Sequence, residues 1–254
     1  MIKFFRQIRY NLMEQNKTSK YLKYAIGEIV LVVIGIMIAL QINNWNQQRL
    51  ENKEEQKALL NLKQDFEYNQ YTLDSVSKKT IKNIEQQFLI LNHTGNKPKP
   101  NSELEFNILL NALTDSKEFL PRNSYLNNHI NSGNLGIIKN ENLRNKLASW
   151  NAVFNNIKQQ EIQVINSIDR VSVMVIKNGS WLNADAVSTS AVVKNNTFPK
   201  SGFTIDNRDL LNELEFENNT ENTIYQNDKL KQRQEIGMLL VEEILELLNR
   251  EIKE

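Results

Sequence analysis

The chain contains no cysteine, and only four prolines, eight glycines and two histidines in 254 residues. Without cysteine there are no disulfides, no thiolate nucleophile and no Cys-based zinc or iron–sulfur centre. The redox compartment stays open, because a domain of this size folds without disulfides. Scarce Gly and Pro mean few tight turns, and abundant Asn, Gln, Lys and Glu favour helices over strands. A dominant charge is missing too: the formal net charge is +1. One domain or two would both suit this length.

The few histidines also limit enzymatic readings. His93 lies in a Gly/Pro loop, and His129 in "NSYLNNHINSG" has Ser124, Ser132 and Asp115 near it in sequence but no nucleophile elbow. Neither histidine has a second ligand at helical spacing, so no metal site is expected. Gly133 and Gly136 lack the Gly-Lys-Ser/Thr ending of a phosphate loop. Adjacent carboxylates such as Asp65 with Glu67, or Glu242 with Glu243, read as solvated helix faces. The expectation is a protein that is not an enzyme, without cofactor or metal.

What is present is one greasy stretch, "YAIGEIVLVVIGIMIALQINNW", with twelve consecutive apolar residues at 29–40. It fits three roles: the core helix of a soluble protein, a cleaved signal, or an uncleaved anchor. Residues 25–42 would span about 27 Å as a helix, close to the roughly 30 Å of a bilayer core. Eleven of these residues are Ile, Leu or Val. They contribute on the order of −5 kcal/mol to insertion, against at most about +3 kcal/mol for Glu28. Tyr21 and Tyr24 would sit at one interface and Trp45 at the other. Gln41-Ile42-Asn43-Asn44-Trp45 offers no small-residue cleavage site, which disfavours a removed signal. The expectation is an uncleaved transmembrane helix at 25–42.

Charge sets the orientation. Lys3, Arg6, Arg9, Lys17, Lys20 and Lys23 precede the span against Glu14 alone, whereas the basic residues after it are mixed with acidic ones. Positive residues resist translocation, so residues 1–24 are assigned to the cytoplasm and 43–254 to the periplasm of an inner-membrane, single-pass protein. Phe4, Phe5, Ile8 and Leu12 share one side of a basic amphipathic segment suited to the anionic inner leaflet. The charges are read as topogenic, with the lipid bilayer and not nucleic acid as partner. Gly35 and Ala39, four apart, would let a second transmembrane helix approach and so support a homo-oligomer. Glu28 either pairs with a partner subunit in the membrane or reaches to the interface.

No Gly or Pro occurs from residue 36 to 94. Leu59, Leu62, Phe66, Leu73 and Val76 follow helical spacing, and Ile81, Ile84, Phe88 and Leu91 are expected to resume the stripe after a one-residue slip. A continuous helix and one broken near residues 43–52 or Asn69 are both open. Ser102 with Glu105 predicts a capping box and a helix to about Leu113. Ser124 starts a short helix to Asn131. Asn140 caps a long helix from Glu141 to about Lys177, closed by Asn178-Gly179. Residues 180–205 read as irregular, Asp206 as the cap of a short helix, and a last helix runs from about Thr223 to Ile252. Three long helices with short ones between them predict an all-α fold: a transmembrane helix leading into an exported antiparallel bundle.

The opening "MIKFFRQIRYNLMEQNKTSKYLKYAIGEIVLVVIGIMIALQINNWNQ" and the segment "SGNLGIIKNENLRNKL" resemble an uncharacterised family of Bacteroidota membrane-anchored proteins, domain of unknown function 6090. The resemblance implies an inner-membrane anchor with an exported helical domain, and no activity or functional residues. Residues 43–254 hold 25 basic and 28 acidic residues, a net −3 that selects no strongly charged partner. The favoured expectation is a periplasmic interaction or scaffold module binding another envelope protein or itself. The alternative is a ligand-sensing bundle, which would need a separate signalling subunit because about 24 cytoplasmic residues form no output domain.

Overall fold

The computed structural model describes residues 6, 7, 10, 18–186, 199 and 201–253, with only the backbone for residues 18–21 and 24. The amphipathic grouping of Phe4, Phe5, Ile8 and Leu12 lies outside the described residues. Among the described residues there is no strand, as the composition predicts. The chain divides into two compact units, residues 1–57 and 58–254.

Helix α1, Thr18–Leu91, is 74 residues long. Residues 43–52 are helical, and Asn69 does not break the helix. Its side chain instead clamps a distant backbone: Nδ2 donates to Arg122 O at 3.2 Å, and Oδ1 accepts from Arg122 N at 2.7 Å.

The second unit is built on that helix and five others. Helix α2, Glu103–Thr114, starts with Ser102 Oγ accepting from Glu105 N. Glu105 Oε2 accepts from Asn101 N, one residue before its expected partner in the capping box. Then come α3, Ser124–Asn131, and a 3-10 turn at Asn134–Ile137 entered through Gly133 at φ 68°, a left-handed conformation that favours glycine. Helix α4, Glu141–Asn178, is capped by Asn140 as predicted. The region read as irregular holds a short helix α5, Trp181–Asp185; residues 187–198 and 200 lie outside the described residues. Asp206 caps a 3-10 turn, Asn207–Asn212, and α6 runs Leu214–Glu251.

Helix α6 begins well before the predicted Thr223. Its first turns, "LEFENNTEN", are poor helix formers, but Phe216 and Thr220 are both fully buried, and that burial overrides propensity. Chain directions follow from paired residues. Asn140 contacts Glu251, Gln160 contacts Gln226 and Asn178 contacts Glu213, so α6 is antiparallel to α4. Gln87 contacts Asn227 and Thr94 contacts Glu217, so α6 is antiparallel to α1 as well. Helices α1 and α4 run the same way, and residues 92–140 return between them: Asp115, Lys117 and Arg122 meet Asn83, Ser75 and Asn69 in turn. The expected antiparallel arrangement therefore holds for α6 against the other two long helices.

Two apolar clusters fill the bundle. One gathers Leu59, Leu62, Phe66 and Leu73 with Leu147, Trp150 and Leu248; the other gathers Ile90, Phe106, Leu110, Val175, Leu210 and Phe216. Gly237 admits close packing in the first: a Cβ there would lie 2.8 Å from Ile157 Cδ1 and 3.3 Å from Leu73 Cδ2. A Gly237→Leu variant is expected to lose about 1–3 kcal/mol through overpacking, measured as a lower urea midpoint at unchanged m-value.

Candidate membrane anchor and buried polar layer

Two features stand out, one in each unit. In the first unit the helix from Ala25 carries an 18-residue window of mean hydropathy 2.5, none of it buried. Every residue from 29 to 40 is exposed; Ile29 and Met37 are both 64 % accessible. A core helix would hide such residues, and a solvated one would not have them. The helix is long and apolar enough to cross a bilayer. Glu28 and Ala25 are half-buried, and Trp45 is exposed. A Cβ added at Gly27 or Gly35 would meet nothing within 4 Å, so the face shared with Ala39 is open. Arg6 and Lys23 are exposed. Lys3, Arg9 and Lys17 lie outside the described residues, as do the side chains of Lys20, Tyr21 and Tyr24.

In the second unit buried positions of α1 follow an alternation of three and four at 59, 62, 66, 69, 73, 76, 80, 83, 87 and 90, with Ala58 buried beside Leu59 and Thr94 continuing the spacing just past the helix end. No slip occurs, contrary to the predicted one. Ile81 and Phe88 are exposed, while Thr80, Asn83 and Gln87 take the core positions. The helix phase follows the residues buried on both sides of this stretch, Leu73 and Val76 before it and Ile90 after it. Helix α6 repeats the pattern through Thr220, Thr223, Asn227, Leu230, Gln234, Gly237, Val241, Ile244 and Leu248. Helix α4 adds Gln160, Glu161 and Ser167. A polar layer thus separates the two apolar clusters.

Most of this layer is hydrogen-bonded. Asn227 Nδ2 donates to Gln87 Oε1 at 3.2 Å, Gln160 Nε2 to Gln226 Oε1 at 2.9 Å, and Asn83 Nδ2 to Asp115 O at 2.6 Å. The hydroxyls of Thr80, Ser167 and Thr220 donate to carbonyls in their own helices. Glu161 Oε1 accepts from Phe119 N at 2.8 Å. Burial pushes the Glu161 carboxyl above the ordinary carboxylate range, against the lowering effects of the Phe119 amide and Lys158. Apolar periodicity alone does not reveal this layer; the uninterrupted spacing through Asn69, Thr80, Asn83 and Gln87 carries the signal.

The residues weighed for catalysis are dispersed. His93 Nδ1 donates to Pro98 O at 2.6 Å. The His129 ring packs 4.7 Å from that of Tyr125, Ser132 Oγ donates to Asn128 O, and Asp115 pairs with Lys79 at 2.5 Å. Among the described residues no group of three His, Cys, Asp or Glu is placed to hold a metal. The loop carrying His93 ends α1 with a cationic cap: Lys99 Nζ donates to the carbonyls of His93, Gly95 and Leu211 at 3.1, 2.8 and 3.2 Å. Lys99→Met is expected to lose about 1.5–3 kcal/mol, the range for hydrogen bonds to a charged group, read by denaturant titration.

The segment that runs from the apolar face through α1 to this cap matches a protein family. Residues 28–100 match DUF6090, a family of unknown function. The DUF6090 match takes in the whole run 29–40 and the heptad-spaced part of α1, and stops where the loop meets α2. Residues 1–27 and the "SGNLGIIKNENLRNKL" segment lie outside it. No curated protein and no solved structure matches the chain.

Proposed function

We propose that the protein is a single-pass envelope protein of the inner membrane, with its N-terminus in the cytoplasm and its helical unit in the periplasm as an interaction or scaffold module. The observation carrying this reading is the run at 29–40, apolar on every face and exposed on every face. Such a helix is stable where lipid replaces water. The basic excess before the run supports the orientation. The open Gly27, Gly35 and Ala39 face supports self-association within the bilayer.

The choice of a scaffold over a ligand sensor rests on space. Among the described residues the cavity in the polar layer has about 10 Å³, enough for one water, and the wider hollow of about 270 Å³ beside Val153, Asn156, Arg233 and Ile236 is an open surface groove, whereas small-molecule sites are concave and take roughly 300–1,000 Å³. The test is protease treatment of spheroplasts followed by crosslinking in intact membranes. The expected result is digestion of residues after the span and recovery of crosslinked copies or an envelope partner. A C-terminal part that stays intact in spheroplasts but is digested after lysis overturns the orientation, and monomer alone after crosslinking overturns the scaffold role.

A further inference from the structure

The return segment 115–119 arches over the cavity in the polar layer, and two buried side chains pin its ends. Asn83 of α1 holds Asp115 O, and Glu161 of α4 holds Phe119 N. Both side chains are 3 % exposed, and both line the cavity. Each bond fixes what the other atom of its group presents. Asn83 Nδ2 must face the Asp115 carbonyl, so Oδ1 cannot exchange with it. Glu161 Oε1 is committed to the Phe119 amide. Asn83 Oδ1 and Glu161 Oε2 are left buried without a hydrogen-bond partner. The nearest cation, Lys158 Nζ, is 3.7 Å from Oε2, beyond hydrogen-bond range.

We propose that this cavity is a binding site for a single water molecule, which donates one hydrogen to Glu161 Oε2 and the other to Asn83 Oδ1. Two acceptors that lack a hydrogen-bond donor, on residues lining one cavity, suit an occupant with two donors. The cavity of about 10 Å³ limits that occupant to one heavy atom. Lys79 and Lys117 on the lining, with Lys158, balance the carboxylates of Asp115, Glu118 and Glu161, so the site has no excess negative charge to hold sodium or ammonium and suits a neutral occupant. Helix α6 contributes the uncharged Asn227 and Leu230, and the arch contributes Glu118, which pairs with Lys158. The water ties α1, the return segment and α4 into one hydrogen-bonded unit.

The test is a high-resolution crystal structure of the full chain in detergent, with a melting series in sodium, ammonium and choline chloride at equal ionic strength. The expected result is a density peak within hydrogen-bond distance of both oxygens and melting temperatures independent of the cation. An empty cavity, direct bonding of a protonated Glu161 to Asn83, or a rise in melting temperature specific to sodium or ammonium overturns the proposal. Asn83→Leu supplies a second check, because it removes one of the two acceptors and keeps the branched shape of the side chain. The peak should weaken or vanish in that variant while the fold persists; an undiminished peak at the same place overturns the proposal. Should the variant not fold, the wild-type map alone decides.

The same carboxyl gives a pH signature. The native state holds its proton more tightly than the unfolded chain does. Its stabilising contribution is therefore complete below the unfolded carboxyl range and is lost as pH rises through the raised native value. The difference in melting temperature between wild type and Glu161→Gln is expected to shift against the wild type as pH rises across that window.

Discussion

Replacing Trp150 with alanine is expected to remove about 3–5 kcal/mol of stability, a large share of the 5–15 kcal/mol typical of a domain. The indole is fully buried and meets Phe66 of α1 edge-on at 5.4 Å and Phe119 of the return segment at 6.2 Å. Its Nε1 donates to Asn123 Oδ1 at 2.8 Å, just before α3. One side chain thus touches three parts of the chain, and truncation opens a cavity where they meet. Trp150→Phe keeps part of the ring packing and loses the hydrogen bond, so a smaller loss is expected. Urea titration followed by circular dichroism checks both, and an alanine variant within about 1 kcal/mol of wild type would contradict this core.

The second large effect concerns the membrane. A Val33→Arg, Met37→Arg pair places two guanidinium groups one turn apart in the middle of the apolar run. Each costs about 2.5–3.5 kcal/mol at a helix centre, and together they exceed the roughly −5 kcal/mol that the apolar side chains supply. The doubly substituted chain is expected to move from the carbonate-resistant pellet to the soluble fraction, while a Val33→Leu, Met37→Leu pair stays in the pellet. Retention of the arginine pair in the pellet would mean that something other than residues 25–42 holds the chain to the bilayer.

The two halves of the problem were unequally legible. Element ends marked by local chemistry could be read directly. Asn140 capping α4, Ser124 opening α3 and Gly179 closing α4 are each decided within a few residues. The start of α6 was not, because Phe216 and Thr220 matter only once α1 and α4 surround them. Nor was the role of Phe119, which in sequence is one aromatic in a loop before Pro121 and in the fold lies beneath Trp150 and Phe154. The polar layer was hidden for a different reason. Asn83, Gln87 and Glu161 resemble any solvated helix residue, and only their phase relative to Leu73, Val76 and Ile90 places them inside. The apolar run needed no tertiary context, since length and composition alone decide whether a helix reaches across a bilayer.

The uninterrupted three-and-four spacing of α1 and α6 makes the polar layer a key that fits one lock. If α6 slid along its neighbours by one heptad, Gln87 would lose Asn227 and face Thr220 or Gln234, whose side chains differ from asparagine in length. Repeats of uniform leucine tolerate such sliding because every rung is equivalent. Here the rungs differ, so the bundle has a single assembled alignment, and strain applied along one rod is passed to the others without slippage.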